Sequence, residues 1–218
     1  MIVTIDGPAG TGKSTVAREL AQALGFEYLD TGAMYRMIAW GVVRGGIDMD
    51  QQDPVAQFAR MAKIEFDGRD AFLNGTLVTD QLRTPDVSLV ASRVAQNAEV
   101  RAAMVEKQRI IAAGCDIVCE GRDQGTVVFP GAEYKFFLTA AEEIRAQRRL
   151  EELLAQGKDA RFQQVLDEQR ERDDRDATRE VAPLKPAADA ILIDTSLLTI
   201  DEVILQIQQI IEADQRFS

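Results

Sequence analysis

Eight consecutive residues, Gly7-Pro8-Ala9-Gly10-Thr11-Gly12-Lys13-Ser14, hold the most concentrated chemistry in the chain. Three glycines clear the way for backbone N–H groups to curl around an anion, and a lysine ammonium closes the run. The spacing is GxxxxGK[ST] at every fixed position. It lies between a β-branched stretch, Ile2–Asp6, and an apolar helical pattern beginning at Ser14. There the first N–H groups of the helix, and its positive pole, face the same anion. The chemistry this implies is a grip on polyphosphate. Gly7, Pro8, Ala9, Gly10, Thr11, Gly12, Lys13, Ser14 and Thr15 cradle a nucleoside triphosphate, Lys13 reaches its outer phosphates, and the Ser14 hydroxyl ligates Mg²⁺.

A second set of candidates is built from arginines and carboxylates. Arg122-Asp123 sits in a Gly-rich loop, and Arg170–Arg179 alternates acids and bases at helical spacing. The 218 residues include 19 Arg against 6 Lys, yet the formal net charge is −11. Guanidinium binds phosphate bidentately and stays charged, so an Arg bias in an acidic chain fits a small phosphorylated ligand. The acidic balance argues against a nucleic-acid polymer, which needs a basic footprint. Histidine is absent. That removes imidazole-based triads, Cys-His pairs and the common zinc and iron sites. Cys115 and Cys119 are too few for a disulfide framework and suit a reducing interior. Without an 18-residue apolar run or a signal-like N-terminus, the expectation is a cytoplasmic protein with no membrane association.

The elements that position these residues follow from periodicity. Strands are expected at Ile2–Asp6, Glu27–Asp30, Asp116–Glu120, Tyr134–Leu138 and Ala190–Asp194, alternating with helices. Between them, Ile64–Phe66, Arg69–Leu73 and Thr76–Thr79 alternate around Asp67-Gly68 and Asn74-Gly75, the signature of a three-stranded meander. Thr139 with Glu142, and Thr199 with Glu202, read as capping boxes for the last-but-two and the last helix. The fold class is therefore α/β: a doubly wound five-stranded parallel sheet with a P-loop, plus a small three-stranded antiparallel insertion near 62–83.

Within that class, no NKxD guanine-reading motif appears, and the strand Ile117–Glu120 ends in a single acid rather than a pair. Size then favours a small-molecule kinase. An anionic acceptor needs positioning and charge neutralisation, which the missing histidine does not impede. Kinases for UMP, AMP or a non-nucleotide acid, and an ATP-gated binding switch, remain open on these residues alone.

Several segments together resemble the bacterial cytidylate kinases, of the nucleoside monophosphate kinase family. They are Ile5–Gly10, Asp30–Arg36, Glu120–Pro130, and Glu171–Asp176 running on to Arg179 and Ala182-Pro183-Leu184. The likeness extends over nearly the whole chain and implies one kinase domain, residues 1–218, with a short lid at about 145–162. It implies phosphoryl transfer from ATP to CMP or dCMP in pyrimidine nucleotide metabolism, by a monomer. By position, Thr31, Tyr35, Arg36, Arg122 and Arg179 would hold the CMP phosphate. Ser92, Arg101 and Asp123 would read the cytosine, and Arg172 with Asp176 would hold the ribose. Arg145, Arg148 and Arg149 fall in the lid, with Arg145 and Arg149 expected to join Lys13, Arg122 and Arg179 in catalysis. Asp173 and Asp174 are expected at the surface. Thr31 stands where serine is common, and Gln124 where the family usually has an apolar residue.

Overall fold

A computed structural model describes residues 1–82 and 84–213. The chain divides into two compact units, one made of residues 1–29 together with residues from 114 onward, the other of residues 30–113.

The first unit is built on a five-stranded sheet of β1 (Ile2–Asp6), β2 (Glu27–Asp30), β6 (Ile117–Gly121), β7 (Tyr134–Thr139) and β8 (Ile191–Asp194), in the order β2-β6-β1-β7-β8. β1 lies at its centre, parallel to β6 with Val3 opposite Val118, and parallel to β7 with Ile5 opposite Phe136. A strand flanked on both sides and covered on both faces favours apolar side chains, and Val3 and Ile5 are fully buried. The helices α1 (Lys13–Leu24) and α8 (Ile200–Ala213) pack with the sheet through Val16, Leu20, Val203 and Ile207. A second apolar cluster, Ala146, Val165 and Leu166 with Leu150, Leu153 and Phe162, joins α6 (Glu142–Ala155) to α7 (Phe162–Thr178). In this order the topological switch lies between β1 and β6, and both strands deliver their C-terminal loops to the same edge.

The second unit holds α2 (Thr31–Arg44), α3 (Gln52–Met61), α4 (Pro85–Val94), α5 (Ala98–Ala112) and a separate antiparallel sheet, β3 (Ile64–Asp67), β4 (Asp70–Leu73) and β5 (Thr76–Leu77). The meander expected from the sequence is present. Asn74 takes φ 51° and Gly75 φ 78° at its second turn, and the Asn74 carboxamide oxygen accepts from the Lys63 N–H at 2.8 Å. Gly41 on α2 admits the Phe58 ring of α3, since a Cβ there would stand 2.3 Å from it.

Two local expectations are corrected. The capping box at Thr139 and Glu142 does not form. Thr139 continues β7 opposite Asp194, α6 starts after Ala141 with no side-chain cap, and Glu142 accepts from Arg170 of α7 at 2.8 Å. The third meander strand stops at Leu77, because Thr79 opens a short 3₁₀ turn and its hydroxyl accepts from the Ala71 N–H at 2.9 Å. The other capping box forms as expected: Glu202 accepts from the Thr199 N–H at 2.8 Å and donates its own N–H to the Thr199 hydroxyl.

Candidate active site

The phosphate loop leaves β1 at Gly7 and enters α1 at Lys13. Its course depends on close approaches that only glycine allows. A Cβ on Gly7 would lie 2.2 Å from the Leu138 carbonyl oxygen, and one on Gly10 would lie 2.9 Å from the Cβ of Arg145. Gly10 and Gly12 take φ +81° and +87°, turning the backbone into a concave nest. Gly12 precedes α1 with no side-chain cap, so the helix presents its first N–H groups without a competing hydroxyl or carboxylate. That suits a phosphate. Lys13 is buried, and its Nζ donates to the Pro8 carbonyl at 2.6 Å. Ser14 is exposed, so its hydroxyl is accessible to a cation that keeps most of its waters.

Around this loop lies a dense set of charges from the same unit. Burial first, then the positive charges of Arg122 and Arg172, pull the Lys13 ammonium down to about 7, against the upward pull of Glu120 and Asp6. Arg122 donates through Nε to Asp176 at 2.9 Å and through a terminal nitrogen to the Gly121 carbonyl at 3.3 Å. Although burial pushes the Asp176 carboxyl up, Arg122, with Arg172 and Arg179, holds it below the ordinary carboxylate value. Arg179 donates to the Ala182 carbonyl, and the Leu184 N–H bonds back to the Asp176 carbonyl at 2.8 Å. Arg122, Arg172 and Asp176 thus form one charged cluster with Lys13, and Arg179 flanks it through Asp176. Asp123 is buried beside them.

Arg145, Arg148 and Arg149 separate into three situations. Arg145 is buried and donates to the Ala140 carbonyl, to the phosphate-loop carbonyl of Ala9 at 3.2 Å, and to Asp173. Arg148 donates to the Thr195 carbonyl at 2.6 Å and its hydroxyl at 3.1 Å, with a longer approach of 3.5 Å to the Gly10 carbonyl. Arg149 instead pairs with Glu152 one turn along the solvent side of α6, at 3.0 Å. Arg145 and Arg148 therefore touch the loop, and Arg149 does not. Asp173, expected at the surface, has a side chain only 21% exposed and bound to Arg145. Helical charge spacing alone does not distinguish the two faces of α7.

Three residues escaped the sequence reading. Asp6, at the end of β1, accepts the N–H groups of Gln124 and Gly125 at 2.9 and 2.8 Å. Glu120 accepts from the Tyr28 hydroxyl at 3.0 Å. Thr195 is buried, with its hydroxyl 3.1 Å from both the Thr11 and Thr139 carbonyls. The available signal was position: Asp6 ends β1, and Glu120 is the last residue but one of the neighbouring β6.

In the second unit, Asp30 caps α2 by accepting from the Ala33 N–H at 2.7 Å and also binds Arg36 at 2.8 Å. The cap therefore fixes Arg36 one turn into the helix. Thr31 is buried at the first helical position, and Tyr35 lies under the guanidinium of Arg101, 5.6 Å from the ring centroid. Arg101 is 3% exposed and donates to the Ala95 carbonyl at 3.3 Å. Ser92 is half-buried on α4. Cys119 is buried in β6, where burial pushes its thiol up and keeps it unreactive. No helix among the described residues is long and apolar enough to cross a membrane, and no group of three or more His, Cys, Asp or Glu there could hold a metal.

A model of the family described as cytidylate kinase matches residues 3–213. A cytidylate kinase from Caldanaerobacter subterraneus subsp. tengcongensis is 46% identical over 214 residues, covering 98% of this chain and 96% of that protein. One from Vibrio cholerae is 44% identical over 216 residues, covering 97% and 96%. Among solved structures, an uncharacterized protein from Eubacterium ventriosum superposes with a TM-score of 0.53 at 13% identity, covering 98% of this chain and 99% of that one; this is a likeness of fold alone.

Proposed function

The chain belongs to the cytidylate kinase family, and from that premise we propose that it transfers the γ-phosphoryl group of ATP to CMP or dCMP, giving ADP and the diphosphate. The observation that carries this reading is the glycine-lined nest leading into the uncapped start of α1, with the buried Lys13 held against it through the Pro8 carbonyl. An ammonium drawn down to about 7 by burial and by two neighbouring guanidiniums stands in a field that favours an incoming polyanion. A triphosphate supplies that charge, and the uncapped start of α1 supplies N–H donors for it. Mg²⁺, coordinated by Ser14 and otherwise by water and phosphate oxygens, would neutralise charge on the transferring group.

Transfer between two phosphates needs in-line alignment and charge neutralisation rather than a general base. Lys13 and Arg145 act on the donor side. Arg122 and Arg179 orient the CMP phosphate, Asp123 accepts from the cytosine amino group, and Arg172 and Asp176 hold the ribose. In the second unit Thr31, Tyr35 and Arg36 keep the phosphate role, and Ser92 and Arg101 the cytosine role, that the family resemblance implies. Arg149 takes the weakest part, through the charge it adds to the lid. The protein acts as one domain and a monomer, in the cytoplasm.

The test is ADP release from MgATP with CMP, dCMP, UMP, AMP, GMP and no acceptor in parallel. Strong signals with CMP and dCMP over a flat blank are expected. A preference for another nucleotide would keep the mechanism and overturn Ser92, Arg101 and Asp123 as cytosine readers. A signal independent of acceptor would overturn the transfer reading.

A further inference from the structure

Asp6 is a carboxylate with almost no contact with solvent, at the end of the central strand and one residue before the phosphate loop. Burying a charge there carries a large desolvation penalty unless hydrogen bonds offset it. Its two oxygens are divided between two successive amides, Gln124 N–H and Gly125 N–H, 118 and 119 residues away. Those amides open a π-helical turn, Gln124–Val128, which closes on itself through Val127 and Val128 N–H to the Asp123 carbonyl and Phe129 N–H to the Gln124 carbonyl. Arg122 and Asp123 are the two residues immediately before this turn, so wherever the turn is held, they are held too. The turn has little room to shift. Gln124 is buried, and a Cβ on Gly125 would come within 3.1 Å of the Thr4 hydroxyl and 3.2 Å of the Lys135 side chain.

We propose that Asp6 is a positioning residue, a clasp through which the strand bearing the phosphate loop fixes the Arg122-Asp123 loop, and so sets the alignment of acceptor against donor. A neutral side chain would be the cheaper way to cap a buried turn. A carboxylate offers two acceptor oxygens of equal strength to two adjacent donors, and charge-assisted bonds hold them more tightly. Asp6 touches no reacting atom. It acts through the backbone of the loop that does. This assignment rests on the transfer reading given above for Arg122 and Asp123.

The experiment compares wild type with Asp6→Asn, whose side chain keeps one carbonyl oxygen and turns an NH₂ toward the second amide. MgATP and CMP are varied separately, and the dissociation constant for ATP is measured alone. A misaligned acceptor costs on the order of ten- to a hundredfold in kcat. The expected result is that loss, with KM for CMP raised several-fold and ATP binding within about twofold of wild type. Should Asp6→Asn fail to fold, Gly125→Ala loads the same clasp from the other side by crowding Thr4 and Lys135, and the same KM-against-kcat pattern is expected. A merely structural role would lower thermal stability while leaving both constants of the folded enzyme unchanged, and that outcome overturns the proposal. So does a loss confined to ATP binding. If wild type itself shows no CMP-dependent turnover, the transfer reading has failed; if wild type turns over and the variants match it, the clasp alone has failed.

Discussion

If Lys13 is held near 7 by burial and two neighbouring guanidiniums, binding of a polyphosphate should draw a proton out of solution. At pH 8 an ammonium with that value is only about one-tenth protonated in the unliganded protein. An ATP phosphate chain restores the charge, so uptake should approach about 0.9 proton per site at pH 8 and about 0.5 at pH 7. The terminal phosphate is itself ionised at pH 8, as is the Asp6 carboxyl, which burial pushes up to about 6 only. Neither contributes to the count. Holding the ammonium in place costs about 1.4 kcal/mol for each pH unit above 7, so the dissociation constant for ATP should rise about tenfold between pH 8 and 9. Calorimetric titration with ATP in two buffers of different ionisation enthalpy reads the proton count directly. Lys13→Arg, which cannot deprotonate, should show no uptake at pH 8. Tight ATP binding by wild type at pH 8 with uptake below about 0.2 proton would refute the reasoning, because Lys13 would then already carry its charge.

Arg179→Ala should lose at least about tenfold in kcat/KM for CMP, the equivalent of a charged phosphate contact of about 1.5–3 kcal/mol, with ATP binding preserved; equal losses for both substrates would place it elsewhere. Asp176→Ala should impair turnover with CMP and dCMP alike, and unchanged kinetics with both would remove it from the ribose site. Because Asp176 is held below the ordinary carboxylate value by Arg122, despite a burial that works the other way, its stabilising effect is full above about pH 4 and lost as pH falls through the lowered value. Denaturant titrations should therefore show wild type more stable than Asp176→Asn at neutral pH, with the margin shrinking as the pH falls. Gly7→Ala sets a Cβ against the Leu138 carbonyl at a φ of +145°, and should destabilise the fold by about 3 kcal/mol, a fall in Tm of about 6–12 °C by scanning calorimetry.

Much of the architecture was legible because local chemistry and global fold agree. Ile2–Asp6 and Glu27–Asp30 form strands over the bounds expected of them, and Asn74-Gly75 makes the turn its dihedral preferences favour. The phosphate loop was legible because its glycines answer a steric demand visible in Gly7 and Gly10. What could not be read depends on partners remote in the chain. The π-helical turn at 124–128 exists where Asp6 receives its first amides, and Thr139 forgoes capping because Asp194 extends its strand. Likewise Arg148 meets Thr195 while Arg149 faces solvent, a difference of 100° around α6 that no spacing rule for arginines encodes.

The nesting of residues 30–113 inside the first unit has a consequence in time. β1 finds its neighbours only at β6 and β7, with Ile2 beside Ile117 about 115 residues later. At synthesis rates of about 5–20 residues per second, that is a wait of roughly 6 to 23 s. For that interval an apolar strand with both edges bare sits on the ribosome, while every strand partner within 30–113 is already out. Closing so long a loop also costs about 2 kcal/mol more entropy than closing one of ten residues. The central strand of the nucleotide-binding sheet is thus made long before its neighbours and is among the last elements to be secured, and a chain cut short before β6 would carry it unpaired.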